Sequence, residues 1–487
     1  MRFLFICPNR QKFVHPVPPI GPLYLAAALN EHGHEVRLVD LMFSRHPLAE
    51  IESAVREFSP EVVGISIRNV DTLFSKEVFE LQTLKEYVLK IREWSKAMLF
   101  LGGAGFSIFP RELFQELEAD YGIAGEADES LPLLLERLEQ GQDPSNIAGL
   151  VFKQGTEVVV NPLQLVTELD RIPFQAIDLI DARMYAKRRG NLGVFTRRGC
   201  PLDCIYCPEA PLYGHACRLR SHRRVVDELE YILQRTGVPY FDFADTLFNL
   251  PSHHAMAVCQ EIVDRRVKIK FEVELNPIGQ NEESVKLLKA AGVIGVDLTA
   301  DAGSDEMLHN LNKGFTREML LNVAKLYAKY KIPYTVGYLL GGPGENLQTV
   351  NETLEFTRRL PGCSAVYFAV GIRVFRGTRL ENLLLERGAI GQPDDLLPLN
   401  FYYDSGFDQA CADRLMEEYR QNLNYYLCDL FYEPFFDTLL NIIGRLNVRP
   451  LWKHGRAARI LQKILHLGRI PVYWNEAGRH FQLSPNC

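Results

Sequence analysis

Cys200, Cys204 and Cys207 stand at C-x3-C-x2-C spacing in the run Gly199-Cys200-Pro201-Leu202-Asp203-Cys204-Ile205-Tyr206-Cys207. Cysteine thiolates at such short spacings hold iron–sulfur clusters. A 4Fe–4S cube has four irons, so three cysteines leave one iron open to a substrate or a cofactor. The extended apolar segment Val194-Phe195-Thr196 comes directly before, which places the loop at the end of a strand. The remaining cysteines (Cys7, Cys217, Cys259, Cys363, Cys411, Cys428 and Cys487) are scattered and form no disulfide framework. Clustered cysteines in a chain with no secretory leader argue for metal or redox chemistry over structural thiols.

A chain of 487 residues is longer than one domain normally holds. With 47% hydrophobic and 24% charged residues it reads as ordinary globular protein. The net charge of -7 gives no global basic field, so no nucleic-acid partner is expected. The opening run Met1-Arg2-Phe3-Leu4-Phe5-Ile6-Cys7 is too short for a signal peptide or a membrane span and reads as a first buried strand. A cytoplasmic enzyme without a transmembrane segment is expected, and an oxygen-sensitive one if it holds a cluster.

Up to about residue 140, strand-like runs (Arg2–Cys7, Glu35–Leu41, Val62–Ile67, Met98–Gly103 and Asp120–Gly125) alternate with helical patterns such as Leu23–His32 and Leu81–Trp94. Such alternation means βαβ units on a parallel sheet, whose ligands bind beyond the carboxyl ends of the strands. Those ends carry Ser66, Arg68, Asn69, Gly102, Gly103, Gly125 and Glu126, the candidate ligand contacts of this region. Residues 141–185 read as a linker with a hairpin, Gly149–Phe152 and Glu157–Asn161, around Lys153-Gln154-Gly155-Thr156.

From 186 to 385, strands are expected at Val194–Gly199, Tyr240–Ala244, Lys270–Asn276, Gly295–Ala300, Tyr334–Gly341 and Ala365–Phe375. Six βα units make a partial TIM-like barrel, with chemistry at the carboxyl ends of its strands. The polar residues there are Asp245, Glu274, Asn276, Asp301, the turn Gly341-Gly342-Pro343-Gly344-Glu345, and Arg373.

The cysteine run resembles the signature of the radical S-adenosylmethionine (SAM) superfamily. The region before it resembles the cobalamin-binding domain that precedes the core in the cobalamin-dependent radical SAM family. Matching pieces are Pro18-Pro19-Ile20-Gly21-Pro22-Leu23-Tyr24-Leu25-Ala26, His32-Gly33-His34-Glu35-Val36, Gly64-Ile65-Ser66 and Gly125-Glu126-Ala127-Asp128-Glu129-Ser130. The resemblance implies three cofactors: a 4Fe–4S cluster on the three cysteines, SAM on the open iron, and cobalamin against the first sheet. It assigns Asp245 to the methionyl amino group and Asp301, where a glutamate is usual, to a ribose hydroxyl. The turn holding Gly341 and Gly342 would close over the adenine. No D-x-H-x-x-G occurs, so no histidine is expected on cobalt, and Arg68 is the cation expected at its lower face.

The implied reaction is methyl transfer to an unactivated carbon of a small-molecule or lipid-like substrate, through a 5′-deoxyadenosyl radical and methylcobalamin. The alternative is a radical SAM cyclase, rearrangement or oxidation enzyme, with or without cobalamin. An electron donor such as flavodoxin or ferredoxin is implied as partner. Residues 386–487 read as a mainly helical region, with helical spacing in Ala410–Tyr426, Pro434–Leu446 and the basic Gly455–Leu467.

Overall fold

The computed structural model describes residues 1–11, 15–71, 81–391, 396–398, 401–428, 449–454, 456 and 460. β1 (Arg2–Cys7) is buried along nearly its whole length, as a strand with neighbours on both edges and cover on both faces must be. β2 (Glu35–Asp40) pairs with one edge and β3 (Val62–Ser66) with the other, both parallel. β4 (Met98–Gly102) and β5 (Tyr121–Ile123) continue the sheet in parallel. The order 2-1-3-4-5 changes direction between β1 and β3, the switch point where ligands of such sheets bind. Helix Leu81–Trp94 covers one face with Leu81, Leu84, Tyr87, Val88 and Ile91, the apolar stripe of an amphipathic helix.

The expected hairpin is present as β6 (Leu150–Gln154) and β7 (Glu157–Val160), turning at Gly155 with φ +64°. It is no free-standing linker element. β6 pairs antiparallel with β5 and brings the first sheet to seven strands.

The second sheet starts with β8 (Leu192–Val194), shorter than the expected Val194–Gly199. The chain leaves the sheet after Val194, and β9 (Arg197–Arg198) pairs antiparallel with β10 (Arg218–Leu219). The cysteine loop thus hangs between the two strands of a small ribbon of its own. β11 (Tyr240–Phe243), β12 (Lys270–Leu275), β13 (Val293–Asp301), β14 (Tyr334–Leu340) and β15 (Ala365–Val370) follow in parallel and in chain order. The expected Ala365–Phe375 strand breaks at Gly371, φ +86°. Beyond it β16 (Ile372–Arg373) pairs antiparallel with β17 (Phe401–Tyr402).

A seventh parallel strand, β18 (Tyr425–Leu427), joins β15. The expected helix Ala410–Tyr426 ends at Gln421 instead, because the aromatic pair Tyr425–Tyr426 packs better on a pleated, half-covered surface than on a helix. The strand order 18-15-14-13-12-11-8 is that of a partial (β/α) barrel. One apolar core runs from Leu4 and Ile6 in the first sheet to Val194 and Phe243 in the second. The expected helices Pro434–Leu446 and Gly455–Leu467 lie, apart from Arg456 and Ile460, outside the described residues, as does part of the stretch between Pro393 and Pro398. No helix among the described residues is long and apolar enough to cross a membrane.

Candidate active site

The strand ends of both sheets line one cavity of about 1090 Å³. That is the upper end of what a whole small molecule occupies. Ser66, Arg68, Gly102, Gly103, Gly125 and Glu126 face it from the first sheet. Asp245 and Glu274 face it from the second. A Cβ on Gly21 or on Gly337, both on its wall, would meet nothing within 4 Å, so their lack of a side chain leaves the cavity that much wider. At Gly103, φ +103°, a Cβ would sit 2.5 Å from the Ile67 carbonyl oxygen, so only glycine lets the ends of β3 and β4 come together. Arg68 follows β3, is open to the cavity and makes no ion pair among the described residues. Although the residue is exposed, the protein crowded around its guanidinium lowers its pKa from the usual arginine value, with nearby Tyr185 opposing. Asn69 does not line the cavity; its Nδ2 donates to Gln11 Oε1 at 3.0 Å.

The cysteine loop is pinned from several sides. Gly199, φ +84°, makes the turn into it; a Cβ there would sit 2.4 Å from the Ala216 carbonyl oxygen. The Cys200 amide donates to Gly214 O at 3.0 Å, Ile205 N to Leu311 O at 3.3 Å and Leu380 N to Ile205 O at 2.8 Å. Asn312 Nδ2 holds Asp203 O at 2.7 Å. All three thiols are free. Burial raises their pKa values, that of Cys207 to about 12, and Lys313 opposes the rise at Cys204. No three His, Cys, Asp or Glu side chains among the described residues gather tightly enough for a single metal ion. A cube spans a wider gap with one thiol per iron, and soft thiolates on one short loop are the donor set it uses.

Asp245 is committed to this loop. Its carboxylate accepts from the Thr196 amide at 2.7 Å, the Thr196 hydroxyl at 2.5 Å and the Arg197 amide at 3.1 Å. Asp301 has φ +59°, a left-handed conformation that Asp tolerates better than most residues. It accepts from Lys313 Nζ and the Tyr206 hydroxyl and stands outside the cavity wall. Arg373 also turns away: its Nε donates to Asp71 at 3.0 Å in a fully buried pair across the two sheets. Gly341 and Gly342 pack near Gly371 and Ile372 and do not line the cavity. Asn276, just past the end of β12, is wholly buried, and its Nδ2 finds no acceptor among the described residues, a donor of the sort a ligand satisfies.

The cavity floor has three acidic residues that strand-end reasoning missed. Asp242 on β11, Glu272 on β12 and Asp297 on β13 face it beside the expected Glu274. Asn191 Nδ2 bridges Asp242 at 2.8 Å and Glu272 at 3.0 Å, and Trp452 Nε1 donates to Glu272 at 3.2 Å. His15 Nε2 meets Asp242 at 3.2 Å, and Thr335 donates to Asp297 at 3.1 Å. Loss of water raises the pKa values of Glu274, Glu272 and Asp297, and their mutual repulsion raises that of Glu274 further. A signal was there: Lys270-Phe271-Glu272-Val273-Glu274-Leu275 alternates polar and apolar, whereas a parallel strand covered on both faces reads apolar throughout.

The description "Radical SAM superfamily" matches residues 194–357, and "B12 binding domain" matches residues 7–135. The chain carries a B12 binding domain followed by a radical SAM domain, the arrangement of the cobalamin-dependent radical SAM family. An uncharacterized methyltransferase of Pyrococcus horikoshii is 25% identical over 397 residues, 79% of this chain and 84% of that protein. The anaerobic magnesium-protoporphyrin IX monomethyl ester cyclase of Rubrivivax gelatinosus is 25% identical over 373 residues, 74% of this chain and 66% of that enzyme. Among solved structures, the radical S-adenosylmethionine methyltransferase TsrM from Kitasatospora setae, with cobalamin and a [4Fe-4S] cluster bound, superposes with a TM-score of 0.82. It does so at 23% identity, over 96% of this chain and 99% of that one. That likeness is one of fold. It includes the placing of a B12-type sheet against a radical SAM half-barrel.

Proposed function

We propose that this cobalamin-dependent radical SAM protein is a C-methyltransferase acting on a small molecule held between its two sheets. The observation that carries this reading is the cavity that the two sheets share. The strand ends of the B12-type sheet form one wall and those of the half-barrel the other. Arg198 and Glu209, which flank the cysteine run, line its rim.

When bound, the cluster and SAM supply an electron and a carbon radical, and cobalamin supplies a methyl carrier. Cys200, Cys204 and Cys207 hold the cluster and leave one iron for SAM. Asp245 keeps the entry to that loop rigid through Thr196 and Arg197. The glycines at the ends of β4 and β5 give cobalamin access to the backbone. Phe195 and Tyr213 are apolar wall that excludes water. Asp242, Glu272, Glu274 and Asp297 crowd four carboxyl groups onto the floor, which disfavours a further anion, suits a neutral or amine-bearing substrate and fits a lipid tail poorly. Turnover requires a one-electron donor such as flavodoxin or ferredoxin.

Ring closure or another radical step is the second reading, favoured by the likeness to the cyclase. Iron and cobalt analysis of the anaerobically purified protein tests the proposal, with an absorption spectrum and a methyl count on the product. About four irons and one cobalt per chain are expected, given one cube and one corrin. Changing all three cysteines to Ala should remove the iron and keep the cobalt. A product without an added methyl group moves the assignment to the second reading; a protein that takes up no cobalamin sinks the role given to the first sheet.

A further inference from the structure

Arg198 on β9 and Arg218 on β10 are direct cross-strand partners in the ribbon that carries the cysteine loop. Like charges facing each other in this way destabilise a strand pair unless something neutralises them. Two carboxylates do so, and both come from the other domain. Arg198 grips Asp128 with both terminal nitrogens, at 2.6 and 2.9 Å. Arg218 grips Glu126 the same way, at 2.8 and 2.6 Å. Arg198 also reaches Glu126 at 3.4 Å. The Glu126 side chain is only 1% exposed and the Asp128 side chain 10%. Charge-assisted, two-pronged bonds of this kind fix direction as well as distance.

The rest of the interface repeats the polarity. Arg373 meets Asp71 and Arg376 meets Glu112. In every Arg–carboxylate pair between the half-barrel and the first sheet, among the described residues, the arginine stands on the half-barrel. Such one-way complementarity sets register between surfaces. Glu126 accepts from the Val166 amide as well, at 2.7 Å, so its carboxylate is fully engaged.

We propose that Arg198, Arg218, Glu126 and Asp128 are positioning residues that hold the iron–sulfur loop at a fixed distance from the B12-binding sheet. The proposal rests on the cofactor assignments above, and its value to the enzyme is geometric. A radical reaction between two cofactors tolerates little error in placement, since displacements near 1 Å cost about a hundredfold in rate.

The test is electron paramagnetic resonance of the holoenzyme with Co(II) and a reduced cluster, in wild type and in the double variant E126Q/D128N. Magnetic interaction between the two centres falls with the cube of their separation, so it moves with distance even when both stay fully bound. A single defined interaction is expected in wild type. A weaker or spread one is expected in the double variant at unchanged iron and cobalt content. Arg198→Lys should lie between, because an ammonium replaces a fork with a point charge. Full loading with an unchanged interaction in the double variant overturns the proposal.

Hydrogen exchange on the cofactor-free chain gives a second arm that does not depend on loading. Asp128→Asn should speed exchange at residues 196–200 and 214–220 by roughly tenfold while β1 and β3 stay protected. Unchanged exchange there also overturns the clamp. A wild-type chain that never takes up iron or cobalt would sink the proposed function instead, and the exchange arm would then judge the clamp alone.

Discussion

Lys313 and Asp301 form a buried ion pair directly behind the cysteine loop. The ammonium group donates to the Asp301 carboxylate, and both meet the Tyr206 hydroxyl, two residues beyond Cys204. The Lys313 side chain is 4% exposed and that of Asp301 14%. Removing one partner leaves the other charge without compensation. Lys313→Met should therefore cost about 3–5 kcal/mol of unfolding free energy, and K313M/D301N should recover most of it. Denaturant unfolding of the four proteins without cofactors measures the coupling. A cost under about 1 kcal/mol for the single change would mean that Asp301 is free to serve a ligand.

Cluster assembly should depend steeply on pH. Burial keeps Cys200, Cys204 and Cys207 as neutral thiols at neutral pH, with Cys207 near 12. Iron binds the thiolate, so each ligand must release a proton. Below the thiol pKa values, each pH unit should raise affinity by up to roughly tenfold per cysteine. Titration of the apoprotein with iron and sulfide between about pH 7 and pH 9 reads the slope. A flat profile would show that the thiols are already ionised.

Much of this site could be read from residue order, and what could not has a physical cause. The strand ends bearing Ser66, Arg68, Gly102, Asp245 and Glu274 follow from the alternation of strands and helices, because parallel sheets gather those ends on one edge. The roles of Glu126 and Asp128 could not be read this way. Their partners Arg218 and Arg198 lie 92 and 70 residues away, and a carboxylate at a strand end looks the same whether it meets a ligand or a guanidinium. Arg373 was hidden for the same reason, with Asp71 lying 302 residues away; Asp301 has its partner Lys313 only 12 residues on, and its strand-end position alone pointed to a ligand. β18 was hidden because three residues carry no period of their own; pairing with β15 makes it a strand.

His254 should make stability fall in acid. It is buried under the entry to the cysteine loop, with Nε2 3.2 Å from the Thr196 carbonyl oxygen. Burial lowers its pKa from 6.5 to about 4. Above pH 6.5 neither state holds the extra proton, and between pH 6.5 and about 4 the unfolded chain binds it while the folded chain does not. Acid in that window therefore favours unfolding, by up to about 3 kcal/mol. Unfolding free energies of wild type and His254→Gln, compared from pH 7.5 to pH 4.5, should show the gap shrinking as pH falls. A constant gap would mean that His254 titrates alike in the folded and unfolded chains.

Arg68 is the cation that the cavity presents beyond β3, at the switch point of the first sheet, with no carboxylate paired to it among the described residues. Its side chain is exposed to the cavity, so its charge can act on a ligand placed there. We expect it to face the lower side of bound cobalamin, where a fixed positive charge discourages a further ligand and favours the more electron-rich Co(I) state. Arg68→Ala should keep cobalamin bound, lower the Co(II)/Co(I) potential and slow methyl transfer. Arg68→Lys should fall between, since a point charge on a flexible stem is a less fixed cation. Spectroelectrochemistry of the three proteins separates this from a role in packing, which would change cobalamin uptake and leave the potential of the bound fraction where it was. An unchanged potential with full binding in Arg68→Ala would place the arginine away from cobalt.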